Sequence, residues 1–239
     1  MSLILALDTS TDACSVALNV NGALTSLFEV AAKSHTQRLL PMVDEILQAK
    51  GYGLADLDAI AFGRGPGSFT GLRICAGIVQ GLAFGANLPV IPVSTLEAMA
   101  LGFYRANPKI EFPLLATLDA RMNEVYRGLF ERDGELVRSL SAEEVVSPDV
   151  LAGSDNVAQL NGNFIGIGPG WHYPALQALT VNNRQLDVYP HAENMALIAA
   201  KLFAEGRVLP ALDAQPVYLR DSVSWQKRQR IRNPNDSFI

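Results

Sequence analysis

The sequence predicts an α/β fold of two related lobes, and three observations lead to this prediction. Apolar runs with the length of buried strands alternate with helical segments along most of the 239 residues. The order strand, acidic residue, polar turn, strand opens the chain and recurs in its second half. Asn107-Pro108 marks a break between the halves. We therefore expect an N-terminal lobe over residues 1–106 and a C-terminal lobe over residues 107–239, with a C-terminal helix packing back on the first lobe.

Composition limits the classes of function. Apolar residues make up 49% of the chain and charged residues 18%, as in folded globular proteins. The formal net charge of −5 argues against a protein that binds polyanions over its whole surface. Cys14 and Cys75 belong to no ligand cluster, which indicates reduced, buried thiols and a cytoplasmic protein. The most apolar helix ends near Ala86 and is too short to span a bilayer, so no membrane is expected.

The first lobe begins with three predicted strands. Leu3 to Leu7 and Cys14 to Val20 flank the polar turn Asp8-Thr9-Ser10-Thr11, and Asn21-Gly22 predicts a hairpin into Leu24 to Val30. An acid followed by hydroxyl residues can hold a phosphate or a hydrated Mg²⁺. The alternative is an Asx-turn that only closes the hairpin.

A first helix is predicted from the N-cap Ser34 to Lys50, before Gly51. Its apolar side chains cover an arc of about 160°, which is wider than one core contact needs. They are Leu39, Leu40, Met42, Val43, Ile46 and Leu47. His35 has no second ligand nearby, so we interpret it as a capping or surface residue.

A glycine-rich turn, Gly63 to Arg73, connects the strand Leu57 to Phe62 with the helix Leu72 to Ala86. Backbone N–H groups at such a helix start favour an anion such as phosphate, and a tight connection that binds nothing is the alternative. The spacing matches neither the P-loop nor the dinucleotide fingerprint.

The helix after this turn is apolar nearly all round. Gly77, Gly81 and Gly85 form a stripe that allows another helix to approach closely. The helix either lies inside one domain or packs both on its own sheet and on a partner subunit. The wide apolar arc of the preceding helix favours the partner interpretation.

The rest of the chain continues the α/β pattern. Strand Pro89 to Val93 leads into a helix capped by Ser94, and strands Leu114 to Leu118 and Glu124 to Phe130 flank the turn Asp119 to Asn123. A further strand with a glycine turn, an amphipathic helix and an extended segment follow at residues 164–170, 194–205 and 216–220. The four cations between Lys227 and Arg232 indicate either a solvated end or a contact with tRNA or a partner.

Four blocks in this order resemble the bacterial TsaB (YeaZ) family of tRNA threonylcarbamoyladenosine biosynthesis proteins. The blocks are Leu5 to Ser10, Gly65 to Arg73, Asp119 to Tyr126 and Pro216 to Arg220. The resemblance implies a two-lobed actin-like, hexokinase-like ATPase (ASKHA) fold, each lobe a mixed sheet with flanking helices and the second lobe reduced.

The resemblance also implies a role. The family looks like a non-catalytic scaffold that pairs with the transferase paralogue TsaD beside the ATPase TsaE. That machinery modifies the adenosine 3′ of the anticodon. The chain is therefore expected to contact tRNA indirectly, through the complex. A homodimer is expected when the chain is alone.

The pairing helices of the family correspond to residues 34–50 and 70–86. The implied interface residues are Leu39, Leu40, Val43, Ile46, Leu47, Ile74, Gly77, Ile78, Gly81 and Leu82. At most a vestigial phosphate loop is implied, at Asp8, Gly65, Gly67, Ser68 and Gly71.

The resemblance predicts no catalytic residue, cofactor or metal. Thr95 and Met99 occupy the positions of the paralogue's two metal-binding histidines, and neither a hydroxyl nor a thioether replaces an imidazole there. One alternative is an autonomous ATPase or phosphotransferase using Asp8 and Asp119. Another is a tRNA-binding module acting through the basic tail. The sequence contains no zinc signature and no nucleophile–histidine pair, which argues against a peptidase.

Overall fold

The structure, a computed structural model, describes residues 2–30 and 34–220 and contains two mixed β-sheets with flanking helices. The first sheet has the strand order β3-β2-β1-β4-β5. Its strands are β1 (Leu3–Asp8), β2 (Ala13–Val20), β3 (Ala23–Val30), β4 (Ala59–Gly65) and β5 (Val90–Ser94). β1 runs antiparallel to β2 and parallel to β4, which is itself parallel to β5. The predicted hairpin at Asn21-Gly22 is confirmed, because both residues have positive φ, 53° and 94°.

Three helices belong to this half of the chain, namely α1 (His35–Lys50), α2 (Phe69–Ala86) and α3 (Thr95–Ala106). α1 and α2 bury apolar side chains against one face of the first sheet, in a cluster that contains Leu5, Phe62 and Val79. α3 lies in a second cluster, on the other face.

The second sheet has six strands in the order β11-β10-β6-β7-β8, with β9 also pairing with β7. They are β6 (Leu114–Arg121), β7 (Glu124–Asp133), β8 (Leu136–Ser139), β9 (Glu144–Val146), β10 (Ile165–Ile167) and β11 (Asn183–Gln185). The helices of this half are α4 (Pro148–Ala152), α5 (Asp155–Ala158), α6 (Pro174–Gln177) and α7 (Ala192–Ala204).

Helix α7 covers the first sheet although it comes late in the chain. The Ala192 amide donates to Ser15 Oγ at 2.9 Å, and Asn19 Nδ2 donates to the Ala196 carbonyl at 3.3 Å. The apolar cluster around α3 and α7 contains residues of both sheets, such as Ala6 and Leu114. The division of the chain near residue 107 into two lobes therefore stays a prediction, because one core continues across it.

Helix α2 corrects one expectation from the sequence. It begins at Phe69, three residues earlier than predicted, with Ser68 as its N-cap, and runs for 18 residues. By length and composition it could cross a membrane, so the prediction that it is too short was wrong. Its buried residues, which include Leu72, Cys75 and Val79, pack on the first sheet, and 33% of the helix is buried.

Candidate functional site

The glycine turn before α2 packs directly on the turn after β1. The Ser68 amide donates to the Ser10 carbonyl at 2.7 Å, and Thr9 Oγ1 donates to the Gly71 carbonyl at 2.8 Å. A Cβ on Gly67 would lie 2.3 Å from the Ser10 carbonyl oxygen, and one on Gly71 would lie 2.0 Å from that of Thr9. The glycines are needed because two backbone segments touch.

This packing favours the tight-connection interpretation of the turn. Of the five residues predicted for a vestigial phosphate loop, only Gly67 and Ser68 line the cleft between the sheets, whereas Asp8, Gly65 and Gly71 are buried. Phosphate binding by these residues stays a prediction.

Asp8 lies beneath the turn and is fully buried. Its Oδ2 accepts hydrogen bonds from the amide and the hydroxyl of Ser10, at 3.2 and 3.0 Å, while Oδ1 has no partner among the described residues. Burial raises the pKa of Asp8 to about 7, and the two bonds from Ser10 oppose that rise. The carboxyl group is therefore partly protonated near neutral pH and is not exposed to a substrate.

A cleft of about 860 Å³ lies between the two sheets. Its lining comes from five parts of the chain: Ser10 to Asp12; Gly67 to Thr70 with Arg73; Leu118 to Arg121 with Tyr126; Pro169 and His172 to Pro174 with Tyr189; and Tyr218 to Arg220. All four sequence blocks that carry the family resemblance contribute to it. The topology thus brings together segments that lie up to 210 residues apart in the chain.

The turn between β6 and β7 forms one wall of the cleft. Asp119 accepts from Tyr173 Oη and from Arg121 Nη1, each at 3.0 Å. Arg121, Met122 and Asn123 all have positive φ, between 55° and 62°. Three consecutive non-glycine residues in this region are unusual and indicate local backbone strain.

The segment 216–220 crosses the cleft between the two halves of the chain. On one side the Val217 amide donates to the Arg64 carbonyl at 2.8 Å. On the other, Arg220 donates to the Ala120 carbonyl at 3.1 Å and forms an ion pair with Glu124. The segment therefore holds the two walls together.

The predicted interface on α1 needs correction. Leu39, Val43, Ile46 and Leu47 are buried, because they face the first sheet and α2. Only Leu40 of the five predicted α1 residues is exposed. Apart from Leu40, the wide apolar arc of α1 is thus covered within the chain.

The outer face of α2 is not covered by any part of residues 2–30 and 34–220. A Cβ placed on Gly77, Gly81 or Gly85 would meet no atom within 4 Å among the described residues. Ile74, Ile78 and Leu82 are half-buried beside this glycine stripe. Phe84, which sequence reasoning did not single out, lies on the same face with 71% of its surface exposed. We call the face formed by these seven residues the α2 face, and its role as an interface stays a prediction.

The positions compared with the paralogue's histidines lie in the core. Thr95 and Met99 are both fully buried.

His35 is buried too, with Nε2 3.3 Å from the Ala13 carbonyl oxygen, so its interpretation as a capping or surface residue was wrong. Among residues 2–30 and 34–220, no group of three His, Cys, Asp or Glu side chains could hold a metal ion. The basic stretch Lys227 to Arg232 lies outside the described residues.

Sequence reasoning missed the aromatic lining of the cleft. The rings belong to Phe69, Tyr126, His172, Tyr173, Tyr189 and Tyr218. Three of them, Phe69, Tyr126 and Tyr218, stand inside the four sequence blocks, which was the available signal. His172, Tyr173 and Tyr189 lie in irregular segments whose position only the fold determines.

Comparisons with known proteins agree over nearly the whole chain. Residues 28–183 match the family TsaD, tRNA N6-adenosine threonylcarbamoyltransferase. The chain is 45% identical over 229 residues to the tRNA threonylcarbamoyladenosine biosynthesis protein TsaB of Escherichia coli (strain K12), covering 94% of this chain and 97% of that protein. The solved structure of YeaZ from Pseudomonas aeruginosa superposes with a TM-score of 0.84 at 42% identity, covering 92% of this chain and all of that one.

Part of the chain is also similar to a transferase of the paralogous family. A tRNA N6-adenosine threonylcarbamoyltransferase of Chromobacterium violaceum is 47% identical over 90 residues, which are 38% of this chain and 26% of that protein. Together these matches confirm the likeness predicted from the four blocks, and with it the two-lobed actin-like fold.

Proposed function

The chain belongs to the TsaB family of tRNA threonylcarbamoyladenosine biosynthesis proteins, and on this premise we propose that it is a non-catalytic subunit that docks on the transferase TsaD. The observation that carries the proposal is the uncovered α2 face. An apolar helix face with an open glycine stripe lets a second helix approach closely, and burial of that face would stabilise a complex.

The similarity to TsaD supports the choice of partner. Because a 90-residue part of a TsaD protein is 47% identical to part of this chain, the two proteins contain a related segment. Related surfaces can pair with near twofold symmetry, as identical surfaces do in homodimers. We extend the proposal to a homodimer of the free chain through the same α2 face, to TsaE as a third component in the cytoplasm, and to tRNA modification carried out by the complex.

The proposal that the subunit is non-catalytic rests on the burial of Asp8, Thr95 and Met99 and on the contacts of Asp119. Asp8, which an autonomous ATPase would use, is fully buried and does not line the cleft. Asp119 is engaged by Arg121 and Tyr173. Thr95 and Met99 are both fully buried, and Met99 packs in the apolar cluster around α3 and α7.

Phe84→Asp tests the proposal, because this side chain is exposed and its replacement leaves the core unchanged. We expect the dissociation constant for purified TsaD, measured by isothermal titration calorimetry, to rise roughly 30-fold or more, as at a buried hot spot. Val150→Asp is the matched control, since Val150 is 62% exposed on α4, and it should leave the affinity unchanged. Equal affinities for wild type and Phe84→Asp would contradict docking through the α2 face.

A further inference from the structure

The cleft between the sheets is a second surface, and the docking proposal does not use it. Six rings line it, and three of them are exposed: His172, and the pair Phe69 and Tyr218 with 60% and 47% of their surface exposed. The ring centroids of Phe69 and Tyr218 are 6.0 Å apart and their planes are tilted by 43°. Exposed rings that are held in position offer stacking surfaces for a flat ligand.

Arg73 adds a cation to these rings. Its guanidinium carbon lies 3.3 Å from the ring centroid of Phe69 and 5.4 Å from that of Tyr218. The other two arginines of the cleft, Arg121 and Arg220, form ion pairs with carboxylates. No ion pair joins Arg73 to any carboxylate of the described residues. Arg73 is thus positioned by aromatic contacts and keeps its hydrogen-bond donors for an anion.

The glycine turn argues against a nucleoside triphosphate as the ligand. Its residues Gly67 and Gly71 are packed against the carbonyl groups of Ser10 and Thr9, and the Ser68 amide already donates to Ser10. The amides of Ser68 and Gly71 are occupied within the turn, the first by the Ser10 carbonyl and the second by Ser68 Oγ, so neither donates to a phosphate. Within the described part of the chain, the cleft instead combines stacking rings with one planar cation that has no ion pair, which is the chemistry that binds unstacked bases of single-stranded RNA.

We propose that the cleft binds one or two unstacked nucleotides of a single-stranded RNA segment. Tyr218 supplies the ring on which a base stacks, and Arg73 contacts the adjacent phosphate. The inference rests on the proposed function only in its choice of RNA over other flat anions. Because the chain carries a net charge of −5, binding depends on this local site and is weak for the isolated subunit.

Fluorescence anisotropy of the full chain with a short, unstructured, labelled oligoribonucleotide at about 50 mM salt tests the proposal. Tyr218→Ala should weaken binding roughly five- to 150-fold, the range expected for loss of one base–aromatic stack, whereas Tyr218→Phe should retain it. Arg73→Ala should weaken binding and lower its salt dependence, which keeps the test valid if Tyr218→Ala does not fold. Val150→Ala, at a residue that does not line the cleft, should bind as wild type does.

Three results would overturn the proposal. The first is the absence of binding. The second is displacement of the labelled probe by adenosine monophosphate at the same concentration at which the unlabelled oligonucleotide displaces it. That result would assign the site to free nucleotides. The third is binding that survives Tyr218→Ala and Arg73→Ala but is lost when residues 221–239 are removed, which would place the contact in the C-terminal segment. The TsaD titration with Phe84→Asp is a separate measurement. If the chain does not bind the oligoribonucleotide, the docking proposal is therefore unaffected.

Discussion

Asp8→Asn is expected to raise the free energy of unfolding by about 2–3 kcal/mol at pH 8. Ionising a carboxyl whose pKa is raised from 3.8 to about 7 costs the folded state roughly 4 kcal/mol, at about 1.4 kcal/mol per pKa unit. The amide carries no charge and can keep an oxygen facing the Ser10 donors. Part of the gain is lost because the amide N–H group takes the position of Oδ1, which has no partner among the described residues.

The sign of the pH dependence follows from the raised pKa. Between about pH 4 and 7 the folded chain holds a proton on Asp8 that the unfolded chain has released, so stability falls as the pH rises through this window. Below about pH 4 the penalty is absent, and above about pH 7 it is fully present. Urea unfolding of wild type and Asp8→Asn at pH 5 and pH 8 measures it. A difference between the two proteins that does not grow with pH would contradict the burial of an ionisable carboxyl at this site.

Gly71→Ala is expected to destabilise the chain by about 3 kcal/mol or more. The new Cβ would lie 2.0 Å from the Thr9 carbonyl oxygen, a backbone atom that no rotamer change can move. Relief requires the two turns to separate, which breaks the hydrogen bonds of Ser68 to Ser10 and of Thr9 to Gly71.

Gly81→Ala is the matched control on the same helix. No described atom lies within 4 Å of the added methyl group, and alanine favours a helix over glycine, so we expect stabilisation by about 0.5–1 kcal/mol. Urea unfolding followed by circular dichroism compares the two variants. If Gly71→Ala is as stable as Gly81→Ala, the two turns are not packed as described.

Local features of the chain were predictable from the sequence. The Asn21-Gly22 hairpin and the end of α1 before Gly51 follow from backbone preferences that few residues satisfy, and both are confirmed. The short helices α4 and α5 were not predicted, because four or five residues give too few turns for a helical period to show.

The candidate sites were only partly predictable, for a different reason. A wide apolar arc shows that a helix must be covered but does not say by what. For α1 the cover is the chain's own sheet and α2, so Leu39, Val43, Ile46 and Leu47 are core residues. The cleft could not be predicted, because Tyr173 and Tyr189 join the four blocks in its lining only through the pairing of distant strands.

Gly81→Leu tests the central claim, that the α2 face is open in the single chain and serves for docking. The leucine Cβ would meet no described atom within 4 Å, and leucine favours a helix by roughly 0.5–1 kcal/mol over glycine. Stability and TsaD affinity are to be measured on the same preparation. We predict a chain at least as stable as wild type whose affinity for TsaD falls about 100-fold. An unfolded chain would show that the stripe is internal, and a stable chain with unchanged affinity would show that TsaD does not dock there.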